Sequence, residues 1–73
     1  MTIGQRAVQL IRERVNKNGT TFKHECELIT TTDTNVLVWS KGYVNPRAVI
    51  LAEMCKQGYD VIYILTGERK DNG

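Results

Sequence analysis

The sequence predicts an all-α domain of five short helices. Three observations carry that expectation. Apolar residues recur at helical spacing near the start of the chain. Asn45-Pro46 joins a favoured cap to a residue pre-set for the first helical position. Gly19, Gly42, Gly58 and Gly67 then punctuate the chain at intervals that suit helices.

Taken in order, the first helix runs from Gly4 to about Lys17, with Ala7, Leu10, Ile11 and Val15 on its apolar face. Lys17 and Gly19 supply its C-terminal cation and stop. The second runs from Thr21 to about Ile29, with Phe22, Cys26 and Ile29 on one side. Thr30-Thr31-Thr32 interrupts it, because three consecutive β-branched hydroxyl residues suit a turn and a cap better than a helix interior. A third helix starts at Asp33 with Thr32 as its cap, turns Val36 and Trp39 inward, and ends near Ser40. The fourth begins at Asn45-Pro46 and passes through Val49, Ile50, Met54 and Cys55 towards Gln57. Asp60 caps the last, Val61 to Leu65, which Thr66-Gly67 closes. Strands are the rival reading for Asn35 to Trp39 and for Val61 to Leu65, both rich in β-branched and aromatic residues. Caps and glycine spacing favour helices at both places.

Seventy-three residues make one domain, expected to span residues 1–67, with 68–73 a flexible polar tail. No apolar run approaches the roughly 20 residues of a membrane span, and the first residues lack the apolar core of a signal peptide. A cytoplasmic address is expected, so both cysteines read as reduced thiols. The net charge of +2 permits a nucleic-acid partner without demanding one. An enzyme finds little support: there is no glycine-rich phosphate loop, no convincing carboxylate pair and little bulk to enclose a small-molecule substrate. No cofactor is implied. His24 and Cys26 are two ligands without a third, so no metal site is expected. Cys55, at helical spacing from Leu51, reads as a buried thiol. Trp39 reads as core, and Tyr43, Tyr59 and Tyr63 as packing or interface residues, with Tyr43 the best placed for a phosphate.

Several pieces occur together in order: Ile3-Gly4-Gln5-Arg6, Gly19-Thr20-Thr21, Cys26, Ile29, Val36, Trp39-Ser40-Lys41-Gly42, Pro46, and the run from Gly58-Tyr59-Asp60 to Leu65-Thr66-Gly67. In this the chain resembles the small phage repressor and Cro-type (XRE-like) helix-turn-helix family, over nearly its whole length. The resemblance implies a lambda-repressor-like domain that regulates transcription by binding double-stranded operator DNA in a bacterial cell. Three departures stand out. The segment from Leu10 to Gly19 is longer by about one helical turn. Glu25 stands where the family buries a leucine, so helix two is expected to shift or pack unusually. Thr30 stands where a glycine is customary.

By family position the recognition helix spans about residues 32–40. Asp33, Thr34, Leu37 and Val38 would face the major groove, and Asn35 would sit at its edge within reach of an adenine or a phosphate. Asp33 can accept from a cytosine amino group, and Thr34 or Val38 can touch a thymine methyl. Phosphate contacts would come from Thr21, Lys23, Thr32, Lys41, Tyr43 and Arg47, with Arg6 a further candidate. The helix itself carries no Arg, Lys or Gln. A homodimer on two half-sites is expected, with Val61, Ile62, Tyr63 and Ile64 at its interface. The competing reading is a repressor-fold protein-binding module that antagonises another regulator through exposed Leu37 and Val38.

Overall fold

Thr2 starts the first helix with a reciprocal cap. In the computed structural model, which describes residues 1–69, its Oγ1 accepts from the Gln5 amide at 3.1 Å, and Gln5 Oε1 accepts from the Thr2 amide at 3.0 Å. The helix that follows, α1, spans Ile3–Asn18. Gly19 ends it in the left-handed region at φ 67°, and its N–H donates to the Val15 carbonyl. Gly4, Ala7, Val8 and Ile11 form its buried face. Leu10 and Val15 lie half-buried beside them.

Thr21 caps α2 (Phe22–Leu28), accepting from the His24 amide at 3.1 Å. Cys26 and Ile29 are fully buried on its inner side. Thr30 then takes φ 61°, the only non-glycine residue at positive φ among the described residues. A β-branched side chain is strained in that region, which explains why glycine is the easier choice at such a turn. The turn closes through hydrogen bonds from the Thr30 amide to the Glu27 carbonyl and from the Thr31 amide to the Cys26 carbonyl.

Thr32 caps α3 (Asp33–Ser40), accepting from the Asn35 amide at 3.2 Å, and Val36 and Trp39 point inward. Asp60 caps α5 (Val61–Thr66) in the same way, accepting from the Tyr63 amide at 3.0 Å. Both segments are helical, and no strand occurs among the described residues. Local caps thus prevail over the β propensity of their side chains.

Asn45 does not cap the fourth helix. That helix, α4 (Ala48–Lys56), begins later, with Arg47 at its cap position and no side-chain capping bond. The Asn45 Oδ1 accepts instead from the Gly4 amide at 3.0 Å. It thereby satisfies one of the unpaired amides in the first turn of α1, while Pro46 is buried. Gly4 itself is required by proximity. A Cβ there would lie 2.6 Å from the Val44 carbonyl oxygen and 2.9 Å from the Trp39 Cβ.

The long α1 is the centre of the fold: α2, α3 and α5 pack on it, α2 also packs on α3, and α4 on α5. Ile11, Ile29, Val36, Met54 and Ile64 are fully buried where these elements meet. On α4 the inward direction is set by Met54 with half-buried Ile50 and Leu51. Cys55 is consequently exposed, not buried, because it follows Met54 by about 100° around the helix. In the expected polar tail, Arg69 pairs with Glu13 at 2.9 Å and lies over the Tyr63 ring at 4.5 Å. The tail's remaining residues, 70–73, lie outside the described part of the chain.

Glu25 is 3% exposed and keeps its carboxylate buried by accepting from the Thr20 hydroxyl at 2.7 Å. Nearby, Tyr59 is buried with its hydroxyl unpartnered, and Arg14 lies 3.7 Å from its ring centre. Burial pushes the Tyr59 hydroxyl up to about 12, against the opposing pull of Arg14. Burial also pushes the Cys26 thiol up to about 11, and Asp33, Glu25 and Glu27 add to the rise. In the unfolded chain these groups ionise near their ordinary values of 10.0 and 9.0. Above those values the folded state holds more protons than the unfolded state, so stability must fall with rising pH. The melting temperature is expected to decline as pH rises from about 9 to 12, from the ordinary value of Cys26 to the raised value of Tyr59. Thermal melts across that range should show the decline, and Cys26→Ala should remove its lower part.

Candidate nucleic-acid interface

The α2–turn–α3 unit is a two-faced object. Cys26, Ile29, Val36 and Trp39 hold it against the core. On the other side, Thr34, Leu37, Val38 and Lys41 recur at i, i+3, i+4 and i+7, which aligns them in one outward stripe. All four are exposed, Leu37 at 44% and Val38 at 36%. Asn35 is exposed at the edge of the stripe. There it lines a groove between α3 and the start of α4, shared with Thr31, Val38, Val44, Arg47 and Val49.

Two of the expected site residues are partly committed to the helix itself. Asp33 is half-buried, and its Oδ1 accepts from the Thr34 amide at 2.9 Å. The Thr32 hydroxyl oxygen takes the Asn35 amide. The amides of Thr34 and Asn35 are therefore already occupied by the side chains of Asp33 and of the cap Thr32. Thr21 is likewise engaged as the cap of α2.

Three of the expected phosphate-contacting residues are exposed cations. Lys23 is exposed in the first turn of α2, Lys41 at the end of α3, and Arg47 at the start of α4. Tyr43 is 87% exposed in the loop after α3, so it is a surface residue and not a packing one. Arg6 does not belong to this set. Its Nε donates to the Ile64 carbonyl at 2.9 Å and its Nη1 to the Met1 carbonyl at 2.6 Å. It joins the N-terminus to the end of α5, where unpaired carbonyls favour a cation.

On α5, Ile64 is fully buried and Tyr63 nearly so, with its hydroxyl donating to Gln9. Both are used by the domain's own core. Of the four residues expected at a dimer interface, Ile62 is exposed and Val61 half-buried, and the exposed apolar partner of Ile62 on this helix is Leu65.

Two exposed apolar residues beside the stripe, Val44 at 46% and Val49 at 62%, were not anticipated as site residues. Val49 falls on the solvent side once Ile50 and Met54 fix the inward face of α4, a direction the local sequence leaves open. His24 is exposed whereas Cys26 is buried, so the two do not converge. Among the described residues no group of three His, Cys, Asp or Glu side chains can hold a metal ion. No described helix is long and apolar enough to cross a membrane. No protein-family model, curated protein or solved structure matches the chain.

Proposed function

We propose that this domain is a sequence-specific DNA-binding transcriptional regulator of the repressor and Cro kind, which lays α3 in the major groove of its operator. The observation that carries the reading is the outward stripe Thr34–Leu37–Val38–Lys41, presented on a core-anchored helix, with Lys23 on α2 and Arg47 at the start of α4 also exposed. A major groove about 12 Å wide admits such a helix. The cations, Lys41 among them, would then meet phosphates and fix the register, while Thr34, Leu37 and Val38 touch base edges. Neither α3 nor its surroundings is strongly basic, so affinity must depend on a few phosphate contacts and on salt.

One α3 spans only a short half-site, and a homodimer on two half-sites would supply the remaining specificity. Ile62 and Leu65 are the exposed apolar residues of α5 that support such pairing. With an operator as partner, the protein would work on the nucleoid in the cytoplasm, needing neither cofactor nor small-molecule substrate.

A second reading has its own observation. Val38, Val44 and Val49 are exposed around one groove, with Leu37 exposed on the stripe next to Val38, and an apolar surface of that kind also suits a protein partner. In that case the domain would antagonise another regulator.

Selection from randomised duplexes at low and moderate salt tests the proposal. The expected result is enrichment of a two-fold-related site, with affinity that falls steeply as salt rises. Absence of retention even at low salt would exclude the DNA reading and favour the protein partner.

A further inference from the structure

We infer that α3 reads an A·T-rich half-site through the C5-methyl groups of thymine, with Thr34, Leu37 and Val38 forming the methyl-binding surface. This inference rests on the DNA reading and names the kind of sequence that reading selects. Its basis is what the outward face holds and what it lacks. The base-contacting part of a recognition helix is its N-terminal portion. Thr34 lies in that portion and Leu37 and Val38 follow one turn later on the same outward face, so the face offers threonine, leucine and valine methyls from side chains that are all exposed.

Guanine is normally recognised by a bidentate Arg or Lys reaching O6 and N7. No such residue occurs between Asp33 and Ser40. The first cation, Lys41, follows Thr34 by seven residues, roughly 10 Å along the axis. Cytosine is recognised by a carboxylate accepting from N4. The one carboxylate on α3, Asp33, is half-buried with Oδ1 held by the Thr34 amide, which turns it toward the helix start. Of the four bases, adenine and thymine remain. Asn35, exposed beside Val38, has the paired donor and acceptor that match adenine N6 and N7. Thymine offers the single apolar group in the major groove, its C5-methyl. Residues 34 to 38 cover roughly 6 Å of helix axis, about two base-pair steps at 3.4 Å each, so two or more thymine methyls fall within reach.

The test uses the duplex that selection returns. Each thymine is replaced in turn by deoxyuracil, which keeps every hydrogen bond and removes only the methyl. Binding is expected to weaken about fourfold per methyl at the contacted positions and about fifteenfold when two are removed. At those positions a C·G pair carrying 5-methylcytosine should bind about fourfold more tightly than the same pair unmethylated. In Val38→Ala or Leu37→Ala the deoxyuracil effect at one position should shrink towards none, a coupling that a merely structural role would not produce. Both side chains are exposed, so these variants are expected to melt like the parent.

Enrichment of guanine-rich half-sites, or an affinity indifferent to every deoxyuracil substitution, would overturn this inference and leave DNA binding intact. Absence of any selected site would overturn the DNA reading and this inference together.

Discussion

Trp39→Ala is expected to leave most of the chain unfolded at 25 °C. The indole is 4% exposed and lies where α3 meets α1, with its Cβ directly under Gly4. Truncating a buried tryptophan to alanine costs about 3–5 kcal/mol. A domain of this size has a total stability of only about 4–11 kcal/mol at the usual 0.05–0.15 kcal/mol per residue. The small core leaves it towards the lower end. Loss of the helical circular-dichroism signal and of a cooperative melt would establish the effect. A helical, cooperatively melting Trp39→Ala protein would show that the α1–α3 contact is dispensable. Trp39→Phe keeps much of the volume, so it should fold with a melting temperature lower by several degrees.

Lys41→Glu combined with Arg47→Glu is expected to abolish retention on DNA at moderate salt while leaving the fold intact. Both residues are exposed, and neither has a side-chain ion pair among the described residues. A glutamate at residue 47 would even suit the start of α4. Losing two phosphate contacts should reduce the slope of log affinity against log salt by about two. Like-charge repulsion adds to the loss, so the affinity should fall at least about a hundredfold. Filter binding or fluorescence anisotropy over a salt series would read both quantities. If the pair of reversals leaves binding and its salt slope unchanged, the phosphate assignments of Lys41 and Arg47 are wrong. Leu37→Asp should abolish an apolar protein contact. Because Leu37 also lies on the base-facing surface of the DNA reading, it should weaken DNA binding too, so the charge reversals are the variant that separates the two readings.

The helices were legible wherever the sequence carried its own start and stop. Thr32 and Asp60 act as caps, Gly19 ends α1, and the apolar spacing of Val36 and Trp39 gives the inward face of α3. These are local effects, decided within a turn of chain. What escaped is decided at long range. Asn45-Pro46 has the composition of a helix start, yet the Asn45 carboxamide is taken by Gly4, 41 residues away. Arg6 looks like a free cation and is instead held by the end of α5. Cys55 and Val49 lie outside because Met54, Ile50 and Leu51 fix the rotation of α4. Glu25 was recognised as out of place at a buried position, but its Thr20 partner was not. The stripe on α3 was readable because it is the complement of an inward face set by two residues. The groove beside it, and the valines that line it, needed the packing of α4.

On the DNA reading, the contact at Gly4 bears on how α3 would meet an operator. With the Trp39 Cβ 2.9 Å and the Trp39 carbonyl oxygen 3.1 Å from the place a side chain would start, α1 and α3 approach closely at Gly4. Close approach leaves the two helices little room to shift against one another, so the outward stripe is held in a fixed relation to α1. On the DNA reading, an imperfect operator is then accommodated by the duplex, through bending or a change of groove width. Base steps that deform easily would be favoured beside those that α3 touches, although no side chain reaches them. A stiffer flanking sequence should weaken binding with every direct contact unchanged.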